Sequence, residues 1–598
     1  MRLIRLTNAA AWLSLFGVAL TVSSQPVLPE WSQDAIWYQI FPERFRNGDP
    51  ANDPTPESVE VPAASGWRVT PWTNDWYERQ PHERSERDFW WSIDQRRYGG
   101  DLQGVLDKLG YLQKLGVTAI YFNPVFEAYS SHKYDWSCLH HIDRHFGPDP
   151  EGDRQLAMNE TELPSTWHWT AADLLFRRLL KEAHQRGIRV VIDGVFNHSG
   201  TRCWAFQDVL KNQQHSRYAN WYDVTRWRRP GSPTNEFAYK GWWNIKDLPE
   251  FREDQHGPVP GPRDYFFDIT RRWMDPDGDG DPSDGVDGWR MDVANEVSGE
   301  FWTEWRLLVK KLNPQALLIG EFWEDASGWL RGDQFDSVMN YRFARAAVRF
   351  FIDNGTNRLS PTQFDAELEH LRTDYPAAVN HSLMNLFDSH DTARLATIIV
   401  NPNRKYNERC SPRQDPTYNI RKPNAAERRV QRLMLLFQFA YVGAPMIYYG
   451  DEAGMWGAND PDDRKPMLWE DMKFAPERTH PLPGKTRPRD RVSFDRELFS
   501  YYQRVIQVRK EQEPLRRGDF NRLVCDDDRQ VYAFSRATAT QEVLIVLNNS
   551  TRAQRAELPR EGRFQDALTG KRFQSRAGTL RLGMAPQEGL ILVRVGKK

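Results

Sequence analysis

Cysteine is scarce in this chain. Only four occur in 598 residues, Cys138, Cys203, Cys410 and Cys525, and none stands at the spacing that a zinc or iron–sulfur site uses. An oxidising compartment would let them pair, but their positions select no pairing. Excess basic charge is missing as well: the net charge of −2 speaks against a nucleic-acid or anionic-membrane partner. Beyond the first two dozen residues no apolar run is long enough to cross a bilayer. Neither a nucleotide-binding glycine loop nor a serine–histidine pairing stands out. These absences leave an acid–base enzyme or a binding protein as the open classes.

What the chain has in quantity is tryptophan. There are 24, within an aromatic content of 13%. Flat apolar side chains make platforms on which sugars or bases stack, and the lack of basic excess argues against bases. Residues 1–24 have the form of an export signal: Arg2 and Arg5 precede an apolar run over 9–22, and Ser23 and Ser24 follow it. The expected product is a secreted or periplasmic protein cleaved near Ser24.

Along the chain, apolar runs bounded by turn residues predict strands at 35–45, 117–126, 188–198, 285–294, 316–324, 335–343, 382–392 and 444–452. Helical periodicity falls between them, for example at 102–115, 171–186, 300–312 and 425–442. Eight alternating pairs predict an α/β fold, a (β/α)8 TIM barrel over 31–514. The stretch 199–268 is rich in Trp, Pro and Gly and too long for a loop, so it reads as a small inserted domain. From 515 to 598 short strands occur without helices, which predicts a C-terminal antiparallel β-sandwich.

Chemistry in such a barrel sits at the C-terminal strand ends. There the sequence puts Asp193, Asn197 and His198, then Arg290 and Asp292, Glu321, and finally His390 and Asp391. Arg290 and Asp292 are two apart and so share a strand face, where a cation beside a carboxylate favours its ionised form. Glu321 is set among Ile319, Phe322 and Trp323, surroundings that favour a protonated acid. One ionised and one protonated carboxyl group are the two parts of a retaining glycosidase.

These residues carry a resemblance. DGVFNH (193–198), GWRMDVANE (288–296), IGEFWE (319–324) and LFDSHDT (386–392) resemble, in order, the four motifs of the α-amylase family, glycoside hydrolase family 13. The resemblance implies Asp292 as nucleophile, Glu321 as acid/base and Asp391 as transition-state stabiliser. It assigns substrate-binding roles to His132, Tyr134, Asp193, His198, Arg290, Trp323, His390 and Arg394. The ending VANE and the loop FPERFRNGDPANDP resemble the neopullulanase, cyclomaltodextrinase and maltogenic amylase branch. That likeness implies a calcium site on Asn47, Asp49, Asn52, Asp53, Gly99 and Asp101, and oxygen donors of this kind suit Ca²⁺. A second acidic loop, DPDGDGD, offers Asp275, Asp277, Asp279 and Asp281; it opens like an EF-hand but has Val286 where the closing glutamate would be.

The chain also departs from the branch. Its barrel begins within about ten residues of the expected signal, so the branch's N-terminal domain is expected to be absent, and the dimer that domain helps form is not assumed. KDLPEF (246–251) stands where MPKLN is usual, and Glu324 follows the acid/base tryptophan where histidine is common. Both changes touch substrate preference. The expectation is therefore an exported hydrolase of α-1,4 links in starch, maltodextrins or cyclodextrins. Transglycosylation is the alternative within enzymes, and a catalytically silent sugar-binding protein the alternative outside them.

Overall fold

The computed structural model describes residues 28–59, 63–84, 88–229, 231 and 236–596, so the expected export signal lies outside the described residues. Eight parallel strands form the central sheet: β1 (Trp37–Ile40), β2 (Ala119–Phe122), β3 (Arg189–Gly194), β4 (Gly288–Met291), β5 (Leu317–Gly320), β6 (Ser337–Val338), β7 (Met384–Asn385) and β8 (Ala444–Tyr448). Each pairs with the next in sequence from β1 to β6, β7 pairs with β8, and β8 returns to β1. A single parallel bridge between Met339 and Met384 closes the ring. This is the TIM barrel that the alternating pattern predicts.

Strand alternation divides the core in two. Trp37, Tyr121, Val191, Leu317, Ile319, Met384 and Met446 fill the barrel's interior. Ile36, Tyr38, Ile40, Ile120, Phe122, Val190, Ile192 and Leu318 face outward, where the helices cover them. Helices α1 (Leu102–Leu115), α2 (Ala171–Gln185), α3 (Pro260–Met274), α4 (Gly299–Leu312), α5 (Tyr341–Phe351), α6 (Pro361–Asp374), α7 (Ala425–Ala440) and α8 (Arg496–Glu511) belong to that layer. α1 begins at an Asp101 cap, which accepts from the Gly104 N–H, and ends at Gly116 with φ 104°. These are the start and stop signals its sequence carries.

Several predicted strands are shorter than the apolar runs suggest. Within 335–343 only Ser337–Val338 is strand, and α5 starts at Tyr341 on an Asn340 cap. Within 382–392 only Met384–Asn385 is strand, so His390 and Asp391 sit in the loop beyond it. In the first run, Pro42–Phe45 is one helical turn after β1, with proline at its first position. The segment between β3 and β4 holds a helix (Trp204–Asn212) and short antiparallel pairs, and α3 runs through the end near 268 that the sequence suggests.

The C-terminal region has a six-stranded antiparallel sheet and a two-stranded one, Gln554–Leu558 with Leu580–Met584. Val531, Leu544, Ala556, Leu580 and Leu592 are buried together. It is tied to the barrel by the Tyr532 hydroxyl, which donates to Asp365 of α6 at 2.7 Å.

Candidate active site

Arg290 is the centre of the cleft floor. In the barrel register it stands opposite Asp193 on β3 and Ile319 on β5, so period-two alternation turns Arg290, Asp193, Asp292 and Glu321 toward one axis. Its Nη1 donates to both oxygens of Asp193 at 3.0 and 3.1 Å and to Asp292 Oδ1 at 2.9 Å. Its Nη2 lies 3.1 Å from Glu321 Oε2. The guanidinium is fully buried, so these three carboxylates are its whole compensation on this face.

Glu321 is held from two further sides. Trp323 Nε1 donates to Oε1 at 3.1 Å, and the Val293 N–H donates to Oε2 at 2.9 Å. Val293 makes that bond from the left-handed region, φ 39° and ψ 45°. A β-branched residue there carries roughly 1–3 kcal/mol of strain, and such strain concentrates at sites that need one backbone group aimed at one atom. Trp323 is in turn stacked on Tyr341, with centroids 3.7 Å apart and planes 6° apart.

On the opposite wall, Asp391 lies 3.4 Å from Arg464 Nη2 and 3.3 Å from His390 Nε2. The Gln39 amide faces His390 Nδ1 at 2.9 Å, while His390 Nε2 meets the Tyr134 hydroxyl at 2.6 Å. With Nδ1 accepting from the amide, Nε2 carries the proton and donates it to Tyr134, whose own hydroxyl donates to Asp193 at 2.8 Å. Burial, then the charges of Arg464 and Arg290, hold His390 neutral, well below the usual imidazole range. Tyr134 lies parallel to His390, with ring centroids 5.3 Å apart and planes 8° apart. His132 hydrogen-bonds through Nδ1 to Ser130 Oγ and is lowered to about 4 by burial. His198 is lowered to about 3 by burial and stacks on Trp242 at 5.4 Å.

The carboxylates outnumber the cations. Burial, then the Glu321 charge, pushes Asp292 well above the ordinary range against the pull of Arg290. Asp391 is raised to about 7 by burial and Glu321, and Asp193 to about 6 by burial. The sequence suggests that Arg290 alone would keep Asp292 ionised. In the cleft one guanidinium serves three carboxylates, so Asp193 and Asp292 hold their protons more tightly than isolated carboxyl groups do.

Arg394 is a correction. It is fully buried behind the wall, with Nη1 on the Tyr449 carbonyl and on Asp451 Oδ1 at 2.9 Å, and Nε on the Asp463 carbonyl. It braces loops and faces no cleft. Conversely, Gln39, Asn123, Tyr341 and Arg464 belong to the site without having been singled out. A lone polar residue in the apolar run of β1 marks Gln39; Arg464, 73 positions from Asp391, has no local signal at all.

Asn47, Asp49, Asn52, Asp53, Gly99 and Asp101 do gather at one place, and the donors there fit calcium. Asn47 Oδ1 and Asn52 Oδ1 are buried without a hydrogen-bond partner. Burial and the neighbouring Asp101, Glu43 and Asp49 charges raise Asp53 to about 6. Gly99 has φ +74°, and a Cβ there would stand 2.0 Å from Asp53 Oδ1, so only glycine fits this close approach. Asp101 is the exception: its oxygens accept from the Gly48, Asp49 and Gly104 N–H groups, so it caps α1 and contributes charge rather than a free ligand atom. In the second loop the carboxylates mostly close their own turns, Asp277 Oδ1 on the Asp279 N–H and Asp279 Oδ1 on the Asp281 N–H. The group close enough to share an ion there is Asp275, Asp277 and Asp284; Asp279 and Asp281 are not in it.

A barrel whose strand ends bring three carboxylates to one buried arginine, with a fourth, Asp391, facing them, has the form of a glycoside hydrolase site. The profile "Alpha amylase, catalytic domain" matches residues 39–160 and 170–518, and "Maltogenic Amylase, C-terminal domain" matches 521–591. The chain belongs to the α-amylase family and is an α-glucan glycoside hydrolase. More particularly, it is 38% identical to Neopullulanase 2 of Thermoactinomyces vulgaris over 569 residues, 94% of this chain and 78% of that protein. It is 33% identical to the intracellular maltogenic amylase of Bacillus subtilis (strain 168), covering 87% of this chain and 69% of that one. Among solved structures, the cyclic α-maltosyl-(1→6)-maltose hydrolase of Arthrobacter globiformis superposes with a TM-score of 0.67 at 28% identity, covering 95% of this chain and all of that one.

Proposed function

We propose that the enzyme cleaves α-1,4-glucosidic bonds of starch, maltodextrins or cyclodextrins with retention, through a covalent glycosyl-enzyme intermediate. The observation that carries this reading is the shared guanidinium: Arg290 Nη1 on Asp292 and Nη2 beside Glu321. Asp292 attacks the anomeric carbon while Glu321 gives its proton to the leaving oxygen. Glu321 then takes a proton from water, which opens the intermediate. Asp391, held by Arg464 and His390, stabilises the positive charge that develops on the sugar. Tyr134 supplies the flat floor for that ring, and His198, His132 and Trp323 line its surroundings. The pattern of residues 1–24 supports export of the mature protein.

The test is to give the mature protein soluble starch, β-cyclodextrin and pullulan and to follow product size and anomeric form. An early α-anomer supports the reading, the preferred substrate ranks the three, and transfer products at high sugar concentration would reveal transglycosylation. An early β-anomer, or no product from any of them, overturns it.

Asp391 must be ionised to stabilise a cation. The nucleophile Asp292 must be ionised as well, and both carboxyl groups are raised, Asp391 to about 7, so the acid limb of kcat/KM should fall at or above neutrality instead of near 4. Arg464 opposes the rise at Asp391. In Arg464→Gln the limb should move to higher pH, and an unmoved limb would show that Asp292, not Asp391, sets it.

Asn47, Asp49, Asn52, Asp53 and the Gly99 carbonyl would hold a calcium ion, which supplies cross-linking charge between the loop after β1 and the start of α1. Stripping with a chelator should lower Tm by several degrees, and Ca²⁺ should restore it where Mg²⁺ does not. Asp53→Asn should abolish the response.

A further inference from the structure

A second cluster of metal-ligating side chains lies outside the cleft, on the strand Trp136–Ile142 that follows β2. His140 and His141 are consecutive, and on a regular strand their side chains would face opposite ways. Here both Nε2 atoms meet one oxygen, Glu160 Oε2: His140 at 3.1 Å, and His141 at a shorter contact. The three ligand atoms all lie within 4.8 Å of one another. All three side chains are nearly fully buried, at the back of a cleft that Glu127, Tyr129, Cys138 and Met158 also line.

What surrounds the three atoms has the form of a metal site's supporting layer. His141 Nδ1 is 2.8 Å from Asp173 Oδ2, and His140 Nδ1 is 2.8 Å from the Tyr265 hydroxyl. Metal-bound imidazoles nearly always have their other nitrogen on a carboxylate, a carbonyl or a water, which fixes the ring and its tautomer. Asp173 is itself fixed, by the Ile142 N–H at 2.8 Å and by Arg272 at 3.0 Å. The far oxygen of Glu160 accepts from His168, through N at 2.7 Å and Nδ1 at 2.8 Å, which leaves Oε2 to face the imidazoles. Trp167 lies flat on His140, 4.5 Å away and 6° from parallel.

The match to the family's catalytic domain breaks over 161–169, the stretch carrying Trp167 and His168, and Glu160 is the last residue before the break. A set of two imidazoles and one carboxylate, with a position left for water, suits zinc. Tetrahedral bonds of about 2.0–2.1 Å put ligand atoms about 3.3 Å apart; the observed 3.1 Å between His140 Nε2 and Glu160 Oε2 is close to that spacing, and His141 Nε2 must draw back from its shorter contact to admit the ion.

We propose that His140 Nε2, His141 Nε2 and Glu160 Oε2 bind a zinc ion, with water as the fourth ligand, and that the ion fastens the segment around Glu160 to the barrel. Binding requires both Nε2 atoms to be free of protons: His140 then carries its one proton at Nδ1, donated to the Tyr265 hydroxyl, and His141 carries its one at Nδ1, donated to Asp173.

The test uses the full mature protein, stripped of metal and resupplied with excess Ca²⁺ so that the oxygen-donor sites are filled. Expected are one tightly held zinc per chain by elemental analysis and, with Co²⁺ in its place, the visible absorption of a four-coordinate ion. Glu160→Gln should lose the zinc. Tyr265→Phe keeps all three ligands and should bind about 10- to 100-fold more weakly. Asp277→Asn, in the separate acidic loop, should bind as before. Failure of the wild type to retain zinc at micromolar concentration, or undiminished binding in Glu160→Gln, overturns the proposal and leaves a protonated hydrogen-bond cluster. Should Glu160→Gln not fold, the cobalt spectrum of the wild type and the affinity of Tyr265→Phe decide: an octahedral spectrum, or unchanged affinity, counts against the site.

Discussion

Asp292→Ala should lower kcat on maltodextrins by on the order of 10⁴- to 10⁶-fold, because no other carboxylate can reach the anomeric carbon from that face. Glu321→Ala should be comparably poor on natural substrates but should recover much of its rate on aryl maltosides whose leaving group needs no proton. The two defects are therefore separable. Azide should rescue Asp292→Ala by attacking the open face and giving a β-glycosyl azide. In Glu321→Ala azide should instead intercept the glycosyl-enzyme and give the α-azide. Exchanged outcomes would exchange the two roles, and rescue of neither would sink the double-displacement scheme. Neither variant should be much less stable than the parent, since each removes negative charge from a cluster already short of cations.

Arg290→Met should behave differently. It leaves Asp193, Asp292 and Glu321 facing one another without the cation that all three now contact. Breaking a buried ion cluster by removing one partner costs about 3–5 kcal/mol. The variant should thus unfold at clearly lower temperature and lose more than about 10³-fold in activity, as an electrostatic stabiliser of the nucleophile would. Lysine should not restore it, because an ammonium group cannot span the positions that Nη1 and Nη2 occupy. A melting temperature close to the parent's would show that the cluster compensates by taking up protons. The loss should be smaller at acid pH, where the stranded carboxylates are protonated.

These two expectations rest on features that differ in how far the linear sequence reveals them. Period-two alternation and strand-end position suffice to put Arg290, Asp292, Asp193 and Glu321 on one face of a barrel, because the information lies within three short runs. The same reasoning recovers the eight strands and the change of pattern near residue 515, while the loop that gathers Asn47, Asn52 and Asp53 is marked by the family resemblance. It overextends the strands at 335–343 and 382–392, since an apolar run does not say where an asparagine cap will begin a helix.

Arg394 shows where local reading stops. The family resemblance assigns it a substrate contact, yet the loops carrying Tyr449, Asp451 and Asp463 enclose it, and they arrive from about 55 to 69 positions away. Arg464 reaches Asp391 by the same route, and Gln39 reaches His390 across 351 positions. His140, His141 and Glu160 carry no recognisable ligand spacing, and only the folding of 157–170 against the strand and α2 brings them to one oxygen. Motifs on strands are readable because the backbone period sets side-chain direction over two or three residues. Convergence of loops depends on the whole closed barrel, and no periodicity in the chain encodes it.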